Sequence, residues 1–185
     1  MSDYRERLVA YVDILGFKQL IDQVDAGKLS PESISDILRT VRSNARVARR
    51  HYATNVSDSI VMSGPLTTDG LESIISALQR LTTRLLRSGI FLRGALTRGT
   101  LFHNENSVFG QGLIRAYQTE SELAIYPRIL ITEDLVKNIY ELKDRGLRAS
   151  IRQGRDEKHY IHVLKALEEV EHVTTTYRQT AAIRL

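Results

Sequence analysis

The chain contains no cysteine and no tryptophan, and only two methionines and three prolines among its 185 residues. Without a thiol it can form no disulfide, no thiolate nucleophile and no Cys-ligated zinc site. That absence fits a reducing compartment, and a cytoplasmic location is expected. No stretch approaches the roughly eighteen consecutive apolar residues of a membrane-spanning helix, so no membrane partner is expected. The opening Met1-Ser2-Asp3-Tyr4-Arg5-Glu6-Arg7 carries no apolar segment of the kind a secretory signal needs. The histidines at 51, 103, 159, 162 and 172 show no metal-ligand spacing with other His or Cys. There is no strand–Ser–helix elbow for acyl chemistry and no aromatic RNA-binding signature.

What is present is ordinary in bulk. Twenty-six Lys and Arg against 22 Asp and Glu leave a net charge of +4. Such a balance suits an anionic small substrate and equally suits solubility alone. Arg42, Arg46, Arg49 and Arg50 fall on one side of a helix and read as a solvated face, so no nucleic-acid partner is expected. The length is that of one domain spanning 1–185, enough for a core of its own.

Residues 8–13 predict a strand, and Phe17, Leu20, Ile21 and Val24 a helix that ends near Gly27. Ser30-Pro31 reads as an N-cap and first-turn proline, opening a helix with Ile34, Ile37, Leu38 and Val41 on one face. Residues 52–55 and 59–63 are short strands with Asp58 at their turn, and Gly64-Pro65 breaks the second. Leu71, Ile74, Ile75, Leu78, Leu81 and Leu85 form a long amphipathic helix stopped by Gly89, and a strand follows over 90–97. A helix from Gly110 or Gly112 to about Leu123, a strand over 128–132 and a helix over 133–142 come next. Residues 148–152 and 158–163 predict a hairpin around Gly154, and the tail from Lys165 a charged helical stretch. The order is α+β: a βαββαβ kernel with additions, its sheet covered by helices on one face.

Two carboxylates stand out in this frame. Asp13 closes an apolar run and is followed by Ile14-Leu15-Gly16-Phe17; Asp58 sits in Ser57-Asp58-Ser59-Ile60-Val61-Met62-Ser63-Gly64. Taken singly, Asp13 reads equally as a helix N-cap and Asp58 as a turn residue. Together they are what chemistry on two divalent cations asks for, since hard Mg²⁺ or Mn²⁺ takes oxygen ligands. Asp13-Ile14-Leu15-Gly16-Phe17, the hairpin around Asp58, the strand Leu92-Arg93-Gly94-Ala95-Leu96-Thr97-Arg98-Gly99, and Phe109-Gly110-Gln111-Gly112 with Ala116 resemble, in that order, the class III nucleotide cyclases. The resemblance spans residues 6–162. Arg93-Gly94-Ala95-x-Thr97-x-Gly99, Gly112-x-x-x-x-Ala116-Tyr117-x-x-Glu120 and Pro127-Arg128-Ile129 look most like the bacterial pyrimidine cyclases of the Pycsar anti-phage systems.

The resemblance implies a class III cyclase catalytic domain with a ferredoxin-like kernel and added C-terminal strands and helices. It implies closure of a nucleoside triphosphate, UTP in preference to CTP, to the 3′,5′-cyclic monophosphate with loss of pyrophosphate. Two Mn²⁺ or Mg²⁺ ions would rest on Asp13, Asp58 and the Ile14 carbonyl. The Gly16-Phe17 turn would cradle the phosphates, Phe17 itself being a core side chain. A homodimer with shared sites is implied, and a product that acts on a separate cyclic-nucleotide effector. In purine cyclases the residue four before the second metal Asp is commonly Lys or Glu; here it is Thr54. The second base reader aligns with Ser107, and the transition-state Asn and Arg with Ile114 and Gln118. Tyr52, two before Thr54 on the same strand face, would narrow the base pocket. Arg115, Arg93, Arg152 and Arg155 are the candidates to replace the missing guanidinium. A purine cyclase with an unusual pocket, an inactive nucleotide-binding module and a basic RNA-binding domain are the competing readings.

Overall fold

The structure, a computed structural model, describes residues 4–44 and 51–164. The chain runs β1 (Arg5–Ile14), α1 (Phe17–Asp25), α2 (Pro31–Asn44), β2 (Tyr52–Val56), β3 (Ser59–Pro65), α3 (Thr68–Leu86) and β4 (Leu92–His103). It continues with β5 (Val108–Phe109), α4 (Gln111–Leu123), β6 (Ile129–Ile131), α5 (Glu133–Glu141), α6 (Arg145–Ala149), β7 (Ile151–Gln153) and β8 (His159–Ile161). The sheet order is β2-β3-β1-β4-β6-β8-β7, with β5 paired to β4 alone. Every pairing is antiparallel except β4 with β6. The first four strands therefore have the alternating order of a ferredoxin-like kernel, and β6, β7 and β8 extend it.

β1 is the strand on which the sheet is built. It lies between β3 and β4 and is covered on both faces, which is why its residues from Arg7 to Ala10 are all buried. Its period of two sends Leu8, Ala10, Val12 and Ile14 into the main core and Val9 and Tyr11 to the opposite face. The main core is filled by α3, whose apolar residues from Leu71 to Leu85 recur at helical spacing and are nearly all inaccessible to solvent. Thr67 caps α3 by accepting from the Gly70 N–H at 3.1 Å. Ser30 does the same for α2, accepting from the Ser33 N–H at 3.3 Å.

The opposite face is not bare, as one-sided cover would have it. α4 packs there through Leu113 and Ala116 against Val9, Val61 and Leu101. The approach is close because both partners lack a side chain: a Cβ on Gly99 would lie 2.7 Å from the Gly112 Cα. β4 also runs on to His103, well past residue 97, because its second half pairs with the start of β1 and with β5. Residues 148–149 belong to α6 rather than to a strand, since the Asp144 side chain caps that turn by accepting from Leu147 N–H at 2.8 Å. The hairpin around Gly154 is shorter than its apolar pattern implies, 151–153 with 159–161. Arg42 is exposed on α2; Arg46, Arg49, Arg50 and the stretch from Lys165 lie outside the described residues. No helix among the described residues is long and apolar enough to cross a membrane.

Candidate active site

Asp13 is the thirteenth residue of the chain and the last of β1 on the α4 face. Its register partners are Ser59 on β3 and Arg93 on β4. Asp58 sits in the two-residue turn that joins β2 to β3, between the paired Val56 and Ser59. Ser57 before it adopts a left-handed backbone, φ 55°, where the resembling hairpin has glycine; a side chain there costs about 1 kcal/mol. The turn brings the Asp58 carboxyl up to that of Asp13. Burial first, and then the charge of Asp58, hold the Asp13 carboxyl above the usual range, while the Ser59 hydroxyl pulls the other way. Ser59 Oγ donates to Asp13 Oδ1 at 3.0 Å and lies 2.8 Å from Tyr11 Oη. Tyr11 is in turn wedged edge-on against Tyr117 of α4 at 5.4 Å.

Nothing basic neutralises this pair among the described residues. Arg93, directly across from Asp13, turns away to Glu120 of α4, Nε to Oε1 2.5 Å, and Glu120 is almost wholly buried. Like charges brought together without a counter-ion are a place for a cation. No group of three or more His, Cys, Asp or Glu gathers to hold one among the described residues. The donors are two carboxylates beside the backbone of Ile14, and Mg²⁺ or Mn²⁺ is ordinarily bound by one or two carboxylates completed by water and substrate phosphate. The residues fit such ions.

The start of α1 adjoins the pair. Gly16 stands at its N-cap with φ 79°, and no side chain caps the first turn, nor is any acidic residue placed in it. The first N–H groups and the positive end of the helix thus have no neutraliser of their own, an anion-binding arrangement. Leu15 N–H donates to Phe91 carbonyl at 2.9 Å, fixing the turn. Phe17 packs against the main core.

The remaining expected residues divide into two groups. Tyr52 and Thr54 lie on β2, opposite Ser63 and Val61. They belong to a polar cluster that the motif pattern did not reveal. Thr54 Oγ1 is 2.9 Å from His103 Nε2, Ser63 Oγ is 2.8 Å from His103 Nδ1, and Arg7 Nε donates to Ser63 Oγ at 3.2 Å. The Tyr52 ring packs on Arg7 at 5.3 Å and on the His103 ring at 5.4 Å. Arg7, Ser63 and His103 are fully buried. Burial, and then the Arg7 cation, push the His103 imidazole down to about 4. The one signal available in the sequence was Arg7, a charge interrupting the run that leads to Asp13.

Ser107 lies in the exposed β4–β5 turn, its N–H donating to Asn104 Oδ1 at 2.8 Å. Arg115 is committed to Asp134, which accepts both of its terminal nitrogens at 2.9 and 2.8 Å. Arg152 and Arg155 are exposed at the far edge of the sheet. Arg152 shares a strand pair with Tyr160, and β7 is four strand spacings from β1, roughly 19 Å. Within one chain, then, Arg115 and Arg152 are not joined to the carboxylate pair, and Arg93 is the nearest guanidinium. Ile114 and Gln118 lie on the exposed side of α4. A groove of about 500 Å³ runs past Arg115, Thr132, Lys158 and His159, away from Asp13 and Asp58.

No protein-family model and no curated protein matches this sequence. Solved structures do match. The monomeric guanylyl cyclase domain of the RhoGC fusion protein from the fungus Blastocladiella emersonii is 16% identical, with a TM-score of 0.60, over 85% of this chain and 94% of that one. A non-canonical dimeric form of the same domain matches at 14% identity and TM-score 0.60, over 86% and 97%. The adenylyl cyclase CyaB from P. aeruginosa is 17% identical at TM-score 0.56, over 84% and 91%. The chain has the α+β fold of class III nucleotide cyclase catalytic domains.

Two outcomes are expected. Because Asp13 is harder to ionise in the folded chain than in the unfolded one, it favours folding below the carboxylate range and opposes it as pH rises through its raised value. At neutral pH without divalent cations, Asp13→Asn should therefore melt higher than wild type. Adding Mn²⁺ should raise the wild-type melting temperature and leave that of Asp13→Asn nearly unchanged; equal shifts in a thermal titration would remove Asp13 from the ion site. His103 acts in the opposite sense, since its depressed value favours folding above the ordinary histidine range. Stability measured by urea unfolding should fall between pH 6.5 and about 4, by on the order of 3 kcal/mol from this group. His103→Gln should flatten that slope.

Proposed function

We propose that the chain is a nucleotidyl cyclase that closes UTP or CTP to the 3′,5′-cyclic monophosphate. The observation that carries this is the meeting of the Asp13 carboxyl, on β1, with that of Asp58, in the β2–β3 turn, beside an uncapped helix start. In the reaction the 3′-hydroxyl gives up its proton to water as its oxygen bonds to the α-phosphorus, the bond from that phosphorus to the bridging oxygen breaks, and pyrophosphate leaves with the electron pair. Divalent cations held by Asp13, Asp58 and the Ile14 carbonyl would acidify the hydroxyl and offset triphosphate charge. The chain's own part is positioning. The first N–H groups of α1 at Gly16 and Phe17 bind β- and γ-phosphate oxygens, and a guanidinium clamps them from outside.

The base pocket favours a single ring. Thr54 is too short and carries the wrong functionality to read a purine edge as Lys or Glu does. The Tyr52 ring beside it is held between Arg7 and His103 and forms a rigid wall. Ser107, on the β4–β5 turn, is the second short polar group. The same arrangement supports a homodimer. Arg152 and Asp13 share a face of the sheet but are too far apart to meet on one triphosphate, so a second copy would bring its Arg152, with Arg115 once released from Asp134, to the pair. The solved RhoGC cyclase domain occurs in a monomeric and in a non-canonical dimeric form. A cyclic pyrimidine nucleotide made this way would act on a separate effector, and the likeness of residues 93–99 and 112–120 to the Pycsar enzymes supports a role in anti-phage defence.

The test is the product formed from equimolar ATP, GTP, CTP and UTP with Mn²⁺. Cyclic pyrimidine nucleotides should form at least about tenfold faster than cyclic purine ones, roughly 1.4 kcal/mol in transition-state binding. Cyclic AMP or cyclic GMP as main product would establish the purine reading, and no product an inactive module. Asp58→Ala should lose at least about 100-fold in turnover while remaining folded.

A dimer with shared sites makes a separate demand. Mixing Asp58→Ala with Arg152→Ala, each inactive alone, should restore part of the activity, because one of the two sites in a mixed dimer keeps both groups. An active monomer in sedimentation at assay concentration would refute the shared site.

A further inference from the structure

We infer that the buried Arg7–Ser63–His103 relay fixes the Thr54 hydroxyl as a hydrogen-bond donor, so that the base pocket selects a carbonyl-bearing pyrimidine edge, UTP over CTP. This rests on the reading that Thr54 faces the base. The argument follows the hydrogens. Arg7 Nε has a hydrogen to give and none to receive, so Ser63 Oγ accepts from it at 3.2 Å. The Ser63 hydroxyl hydrogen then needs an acceptor in a wholly buried place, and its other partner is His103 Nδ1 at 2.8 Å. His103 is neutral near pH 7, so one ring nitrogen carries the hydrogen.

Only one assignment satisfies every group. With Nδ1 as acceptor, the hydrogen sits on Nε2, which donates to Thr54 Oγ1 at 2.9 Å. Were the hydrogen on Nδ1 instead, the Ser63 hydroxyl would be left without an acceptor, and an orphaned buried donor disfavours that tautomer roughly 5- to 150-fold. Thr54, having accepted from Nε2, points its own hydrogen elsewhere. Its side chain is half-buried. A donor in that position meets the 4-oxo group of uracil favourably and the 4-amino group of cytosine donor to donor. A site built to satisfy one pattern rejects the other strongly. His103 and Ser63 are thus positioning residues: they touch no substrate and set the polarity of the residue that does.

The experiment has two readouts. Long-range ¹H–¹⁵N correlation spectra of the full chain without nucleotide should show His103 protonated on Nε2; protonation on Nδ1 would overturn the relay whatever the activity. In competition between UTP and CTP with Mn²⁺, wild type should favour UTP by about tenfold or more in kcat/KM, and Ser63→Ala, checked for a cooperative melt, should bring the ratio to within about threefold of one. A wild-type preference for CTP, or a ratio unmoved by Ser63→Ala, would sink the inference while leaving a pyrimidine cyclase in place. Turnover of ATP alone would sink the pyrimidine reading. If no nucleotide turns over, the function fails and the imidazole spectrum still decides the relay.

Discussion

Everything at the site depends on one constraint: β1 is buried on both faces, yet the last residue it sends to the α4 face is a carboxylate. A strand so placed must be apolar on both sides, and Leu8, Val9, Ala10 and Val12 are all inaccessible to solvent. Register with β3 on one side and β4 on the other then leaves Asp13 no freedom of position. It is set beside Ser59 and Arg93, and the β2–β3 turn delivers Asp58 to it. The repulsion between the two carboxyls opposes folding of the ion-free chain, and the stability of the sheet around them holds them together. That is a common condition of binding sites, where local cost is carried by a well-packed scaffold.

The second consequence is the separation of roles between the two faces of the sheet. One face is given to packing, with α3 supplying a continuous apolar surface. The other carries a polar cluster beneath and beside α4, where Arg7 pairs with Ser63, Tyr11 and Asp13 with Ser59, and Arg93 with Glu120. Buried polar groups of this kind are tolerated only when each finds a partner. Here the partners come from different strands, so the polar cluster also fixes strand register. Arg93 illustrates the economy of the arrangement. Its commitment to Glu120 turns its charge away from Asp13, so the carboxylate pair has no counter-ion among the described residues.

Much of the scaffold was legible in the linear pattern because it depends on local rules. Periods of 2 and 3.6, the Ser30-Pro31 start of α2 and the glycine stop after α3 all act within a few residues. The misreadings have one local cause and one distant one. An Asp144 cap turned residues 148–149 into helix, and a strand pattern over 90–97 gave no sign that β4 would continue to His103 through pairing with distant β1 and β5. The helix over 111–123 was foreseen, but not its place on the second face, because its seat there is a small apolar patch through Leu113 and Ala116 and a close approach of Gly112 to Gly99, neither of which a helical period announces.

The sequence by itself determined the kind of fold, the two carboxylates and the glycine turn that follows the first, since each is encoded by residue type at short spacing. It also determined the departures at Thr54, Ser107, Ile114 and Gln118. Which groups meet was decided only by the tertiary structure. Hydrogen bonds and ion pairs form between residues 27 to 56 apart in the chain, such as Arg93 with Glu120 and Arg7 with Ser63, and no spacing rule reaches across that distance. The same holds for His103, which reads in the sequence as one of several isolated histidines and becomes, once β4 lies alongside β1 and reaches β2 and β3, the centre of a buried network. Short-range sterics specify elements; only closure of the sheet brings their polar side chains within bonding distance.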